Sequence, residues 1–220
     1  MLDFYSIIQS LRQTGHIVLP GITNQDIELV KKTYDITFPR ALSKFYELGI
    51  PCTFNCSYGF PNWTDFSELN TAEIKRRIDA PLYNLKRSVK DGFWIATWGA
   101  RPDEEDKALE VFDELSSQAP KLIPIYSHRY LPIIDGEDDP PVISVVGSDI
   151  IYYGCNLSDY FNREFFGGKG AISIPMNNRI PFWSDIIDYN INIMGSIIKV
   201  GVPADRQRKK KKRMSISEKI

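Results

Sequence analysis

The chain has 220 residues and a mass of 25.2 kDa, and its 43% hydrophobic and 25% charged residues fit one globular domain with an appendage, excluding a disordered chain or a membrane protein. The net charge of -1 conceals a split: Ala204 to Ile220 carries eight Lys/Arg against two Asp/Glu, which leaves 19 basic and 26 acidic residues in the body before it. Three cysteines are too few and odd in number for a disulfide framework, no stretch approaches the roughly 18 apolar residues of a membrane span, and the start MLDFYSIIQSLRQ lacks the features of a secretory leader, so a cytoplasmic protein with free thiols is expected.

Phe4, Ile7, Ile8 and Leu11 recur at helical spacing and predict a short helix ended by Gly15. Thr23 or Asn24 can cap a second helix that buries Ile27, Val30 and Tyr34. Pro39 suits the first turn of a third, with Leu42, Phe45 and Tyr46 inward and Gly49 as its stop. Pro51 to Pro61 reads as irregular or strand-like. Asn70 with Glu73 three residues on predicts a helix through Ile78, which Pro81 breaks or kinks.

Phe93 to Trp98 is rich in aromatic and β-branched residues and reads as a strand. Ala108, Val111, Phe112 and Leu115 predict an amphipathic helix with an acidic outer face. Leu122 to Tyr126 reads as a strand that Pro124 places at an edge or interrupts. Val142 to Val146 and Asp149 to Tyr153 form a hairpin about Gly147-Ser148, and Asn156 caps a helix burying Leu157, Tyr160, Phe161 and Phe165 before Gly167-Gly168. This order predicts an α+β fold with a central, mainly antiparallel sheet and flanking helices, over residues 1–202, followed by a basic, disordered tail over 203–220.

Candidate chemistry is sparse. His16 reads as a loop histidine, and His128 in Ser127-His128-Arg129 lies at a strand end, where polar clusters more often satisfy backbone groups than catalyse. Cys52 and Cys56, with Cys155 and His128, lack the second knuckle of a zinc site; Gly167-Gly168-Lys169-Gly170 lacks the ending of a phosphate loop; neither acidic run has the calcium-loop pattern. No metal, cofactor or catalytic residue is therefore expected. Trp63, Trp94, Trp98 and Trp183 read as core or core-edge residues. The run Arg206 to Arg213 would hold polyanions without any recognition code, so no specific nucleic acid and no membrane is expected as a partner.

Phe38-Pro39-x-Ala41-Leu42-x-x-Phe45-Tyr46-Glu47-Leu48-Gly49, Trp94-x-x-x-Trp98-Gly99-x-Arg101-Pro102, the segment Ala119 to Pro132, and Pro141-Val142-x-Ser144-Val145 running on to Gly154 together resemble the SUKH superfamily of immunity proteins, bacterial relatives of yeast cell-wall-synthesis regulators, over residues 23–166. The resemblance implies a SUKH-like α+β fold and a role in binding and neutralising a cognate polymorphic toxin, often a nuclease, with a regulatory scaffold as alternative and an enzyme third. Pro175 to Tyr189 resembles an extension of close relatives, and the oligomeric state stays open. Since a nuclease needs a basic groove, the acidic runs Asp103, Glu104, Glu105, Asp106 and Glu137, Asp138, Asp139 are the candidate partner-binding residues.

Overall fold

The computed structural model describes residues 3–54, 58–172, 174 and 178–200, with backbone only for 194–200. Cys56 and the basic tail lie outside the described residues.

The early helices form where capping and apolar spacing agree. In α1 (Phe4–Gln13), Asp3 accepts from the Ser6 N–H at 2.8 Å, and Ile7, Ile8 and Leu11 are buried. Gly15, at a φ of 86°, then turns the chain into β1 (Ile17–Leu19). Thr23 caps α2 (Asn24–Tyr34) in a capping box: the Asp26 N–H donates to the Thr23 hydroxyl, and the Thr23 N–H donates back to the Asp26 carboxylate. α3 (Arg40–Leu48) buries Ala41, Leu42, Phe45 and Tyr46; Pro39 is its N-cap, one position outside the first turn. β2 (Ile50–Cys52) pairs antiparallel with β1, Ile17 opposite Cys52; it overlaps the start of the Pro51 to Pro61 stretch read as irregular or strand-like, while β1 was not read from the sequence.

Two expectations are corrected in the middle of the chain. The helix assigned to Asn70–Ile78 is α4 (Glu68–Lys90), which runs through Pro81. Asn70 lies inside its first turn instead of capping it, and its amide donates to the Asn62 and Asp65 carbonyls. A mid-helix proline loses one backbone hydrogen bond, here the one to the Arg77 carbonyl, but the buried residues Ile74, Leu85 and Val89 on either side hold both halves in one helix. Phe93 to Trp98 is not a strand: it is a loop ending in a 3₁₀ turn at Ala96–Trp98, because its aromatics pack on one another and on Phe112, Phe182 and Tyr189 instead of lining a ladder.

α5 (Glu105–Ser116) lies against α4 and leads to a four-stranded antiparallel sheet, in the order β3 (Leu122–Tyr126), β4 (Arg129–Pro132), β5 (Val142–Val146), β6 (Asp149–Gly154). Pro124 sits in the outer strand β3, beside a bulge between Pro124 and Tyr126. Gly147 takes the positive φ, 58°, that the β5–β6 turn requires. Asn156 caps α6 (Leu157–Phe165) by accepting from the Asp159 N–H at 2.8 Å. The last helix, α7 (Trp183–Val200), was not anticipated from the sequence.

Alternation along the strands sends side chains to both faces, so two cores form. Ile123, Ile125, Leu131 and Val142 join α1, α2, α3, α6 and Ile74 from the first half of α4 on one side. Leu122, Tyr130, Ile143, Val145 and Ile150 join the second half of α4 (Leu85, Val89), α5 and α7 on the other. The fold is α+β, with the sheet between helical layers. Trp63 and Trp183 are buried, while Trp94 and Trp98 lie at the edge of the second core. No helix among the described residues is long and apolar enough to cross a membrane.

Candidate functional site

The strand order gives the sheet two ends. One carries the β3–β4 and β5–β6 turns, residues 127–128 and 147–148; the other carries the β4–β5 loop and the start of α6. A cleft of about 560 Å³ opens at the turn end, between α4 and the sheet. That volume lies within the range of roughly 300–1,000 Å³ typical of small-molecule sites.

One stripe of α4 builds its helical wall, because Arg76 and Arg77, Ala80, Asn84, Arg87 and Ser88, and Asp91 recur every three or four residues. Ser127, His128, Tyr130 and Val145 face them from the sheet. Three arginines thus meet one carboxylate, Asp91, in the lining. Arg76 is exposed and forms a two-pronged pair with Glu73, at 2.8 and 2.7 Å. Arg87 is exposed and has no ion pair among the described residues.

Arg77 is the unusual member. It continues the buried stripe Ile74, Arg77, Pro81, Leu85, Val89, a position that asks for an apolar side chain, and only 4% of it is exposed. Its Nε has no hydrogen-bond partner, and its Nη2 donates a long 3.5 Å bond to the Ser127 carbonyl. No carboxylate pairs with it among the described residues, and desolvation lowers its pKa from the usual arginine value. An uncompensated buried charge costs several kcal/mol, so this guanidinium is poised to gain from an anion. The sequence does carry the signal, but only to a reader who continues the helix past Pro81.

The Ser127-His128-Arg129 cluster is divided by the fold. Ser127 Oγ and His128 Nδ1 lie 3.0 Å apart on the cleft. Burial first, then the charge of Arg129, lowers the His128 pKa, which favours the neutral ring. Arg129 turns to the opposite face, where it pairs with Glu164 at 3.1 Å, donates to Ser144 and stacks over Tyr153. His16 packs edge-on between Phe60 and Phe165. Burial also raises the pKa of the Cys52 and Cys155 thiols, and Cys155 lies beside Asp159, which raises it further. No cluster of three or more His, Cys, Asp or Glu suited to a metal occurs among the described residues.

The acidic runs do not form one patch. Asp103, Glu104, Glu105 and Asp106 are all exposed where α5 begins, near the C-terminal end of α4, with Glu104 paired to Lys107 and Glu105 to Lys90. Two of these carboxylates lie in the first turn of α5, where they also complement the positive end of the helix. The Glu137–Asp139 loop lies beyond the other end of α5, which spans about 18 Å at 1.5 Å per residue. There it joins two helix starts: the Ala41 N–H donates to the Asp138 carbonyl at 2.9 Å, and the Leu157 N–H donates to the Asp139 carboxylate at 3.0 Å. Asp138 also pairs with Arg40, and burial raises the Asp139 pKa. No family model, curated protein or solved structure matches the chain.

Proposed function

We propose that the protein is a SUKH-type immunity protein, a cytoplasmic binding protein that occupies and blocks a cognate toxin, with a nuclease as the toxin class its surface suits. The observation that carries this reading is the row of four consecutive exposed carboxylates, Asp103 to Asp106, at one end of α5. A nuclease grips phosphates in a basic groove, and carboxylates presented in a row compete for that groove. The resemblance over residues 23–166 supplies the class of protein, and the raised thiol pKa values of Cys52 and Cys155 favour a binder over a thiol enzyme. The contact is assigned to Asp103–Asp106 in preference to Glu137–Asp139, of which Asp138 is committed to α3 and Asp139 to α6.

Co-expression with the toxin encoded by the neighbouring gene tests the proposal. Restored growth and a stoichiometric complex are expected. A folded, soluble chain that neither restores growth nor binds that toxin overturns it.

A further inference from the structure

We propose that the cleft between α4 and the turn end of the sheet is a binding site for a small phosphorylated ligand, whose phosphoryl group rests against Arg77, Arg87 and the Ser127–His128 turn. Three observations converge on this site and none depends on the toxin reading.

The first is the guanidinium of Arg77. A side chain that is 4% exposed, with an unpartnered Nε and no carboxylate in pairing distance among the described residues, lacks the counter-charge that buried arginines normally have. An anion in the cleft supplies that charge, and hydrogen bonds between guanidinium and phosphate oxygens are among the stronger ones available to a protein. The second is the number of donors. Arg87 has no ion pair among the described residues, and it lines the same cleft as Arg77, the His128 ring and the Ser127 hydroxyl, which lies 3.0 Å from His128 Nδ1; the Ser88 hydroxyl is already used on the Asn84 carbonyl. That set offers more donors than the two oxygens of a carboxylate use, and fits the three terminal oxygens of a phosphate monoester. The third is size: about 560 Å³ far exceeds an inorganic ion. Tyr58 and Tyr130, with Val145, offer aromatic and aliphatic surface for an attached organic group.

Pro81 contributes from within the helix. Because it cannot donate to the Arg77 carbonyl, the turn of α4 that carries Arg77 lacks one internal bond, and the Arg77 side chain bonds instead to the Ser127 carbonyl across the cleft at 3.5 Å.

The test is calorimetric titration of the full chain with inorganic phosphate, adenosine monophosphate and sulfate. Saturable binding at one site is expected for the two phosphates, with the monophosphate ester held tighter than the free ion. Arg87→Gln, an exposed substitution that leaves the core intact, and Arg77→Lys, which keeps the charge but loses the planar fork, are each expected to weaken binding about tenfold or more. Thermal unfolding gives a second readout, since a ligand that binds only the folded chain raises Tm as its concentration rises. Binding that fails to saturate, persists unchanged in both variants, or is as tight for sulfate as for the monophosphate ester overturns the proposal. The first two of these outcomes would point to the basic run Arg206–Arg213 as a nonspecific anion trap. Equal affinity for phosphate and ester overturns the assignment of an organic ligand. No toxin takes part, so failure here leaves the immunity reading untouched.

Discussion

Asp139 shows how a residue that looks like part of a charged surface can serve the fold. Its carboxylate accepts from Leu157 at the start of α6, and burial raises its pKa. A raised carboxyl pKa means that its contribution is complete below the unfolded value, near 4, and is lost as the pH rises through the folded value. Asp139→Asn keeps an acceptor without the buried charge, so its unfolding free energy at pH 7 is expected to equal or exceed that of the wild type. Asp139→Ala orphans the Leu157 N–H and should cost about 1 kcal/mol, a fall in Tm of roughly 2–4 °C for a chain of this size. Equal Tm values for wild type and Asp139→Ala would remove this role. His128 runs the other way. Its lowered pKa means stability that is present above about pH 6.5 and lost as the pH falls through the folded value. His128→Gln should flatten that loss in chemical denaturation below pH 6.5, and an unchanged pH dependence would contradict it. From the sequence, the polar cluster at the strand end was legible as a place of interest. The separation of His128 from Arg129 was not, because strand alternation decides which face each residue meets, and β4 was not recognised as a strand.

Among the elements, those with an apolar stripe at helical spacing, a β-branched run or a turn glycine were readable: α1, α2, α3, α5, β3, the β5–β6 hairpin and α6. α4 was not readable in full, because proline is a helix breaker by local propensity and only packing on both sides of it overrides that preference. This error hid the candidate site, since Arg77, Asn84, Arg87 and Asp91 share a face only if the helix continues. α7 had a usable signal in Trp183, Ile186, Ile187 and Asn190, whose spacing is helical. The first three are buried, and the Asn190 amide donates to the Ser148 and Ile150 carbonyls, which ties α7 to β6. Ile187→Ala should therefore cost about 2–5 kcal/mol in denaturant unfolding. Ending the chain at Val202 should leave the midpoint near that of the full chain, because Arg206–Arg213 holds no apolar residue to bury. A large loss on truncation, or a negligible one for Ile187→Ala, would reverse this ranking.

At the scale of the whole molecule, the acidic and basic groups of the described body fall in distinct places. The carboxylates Asp103–Asp106 stand beside the C-terminal end of α4, and the arginine-lined cleft lies along the same helix. If the carboxylates steer a basic toxin, replacing Asp103 and Asp106 with lysine should slow association by about tenfold at low salt and flatten its salt dependence, with a smaller effect on dissociation. Stopped-flow mixing with the toxin reads both, and an unchanged on-rate at every salt concentration removes these carboxylates from the interface.

The outer strand β3 sets a limit on how the molecule can grow. An uncovered strand edge is a template onto which another chain can add, and here the template is interrupted by Pro124 and by the bulge that follows it. The sheet is thus stopped at this edge by a residue that has no amide hydrogen, and copies crowded together in a cell find no continuous row of donors along β3 to polymerise upon. Pro124→Val should restore the row while leaving the arginine-lined cleft in place, and light scattering at high protein concentration is expected to show self-association that the parent chain lacks.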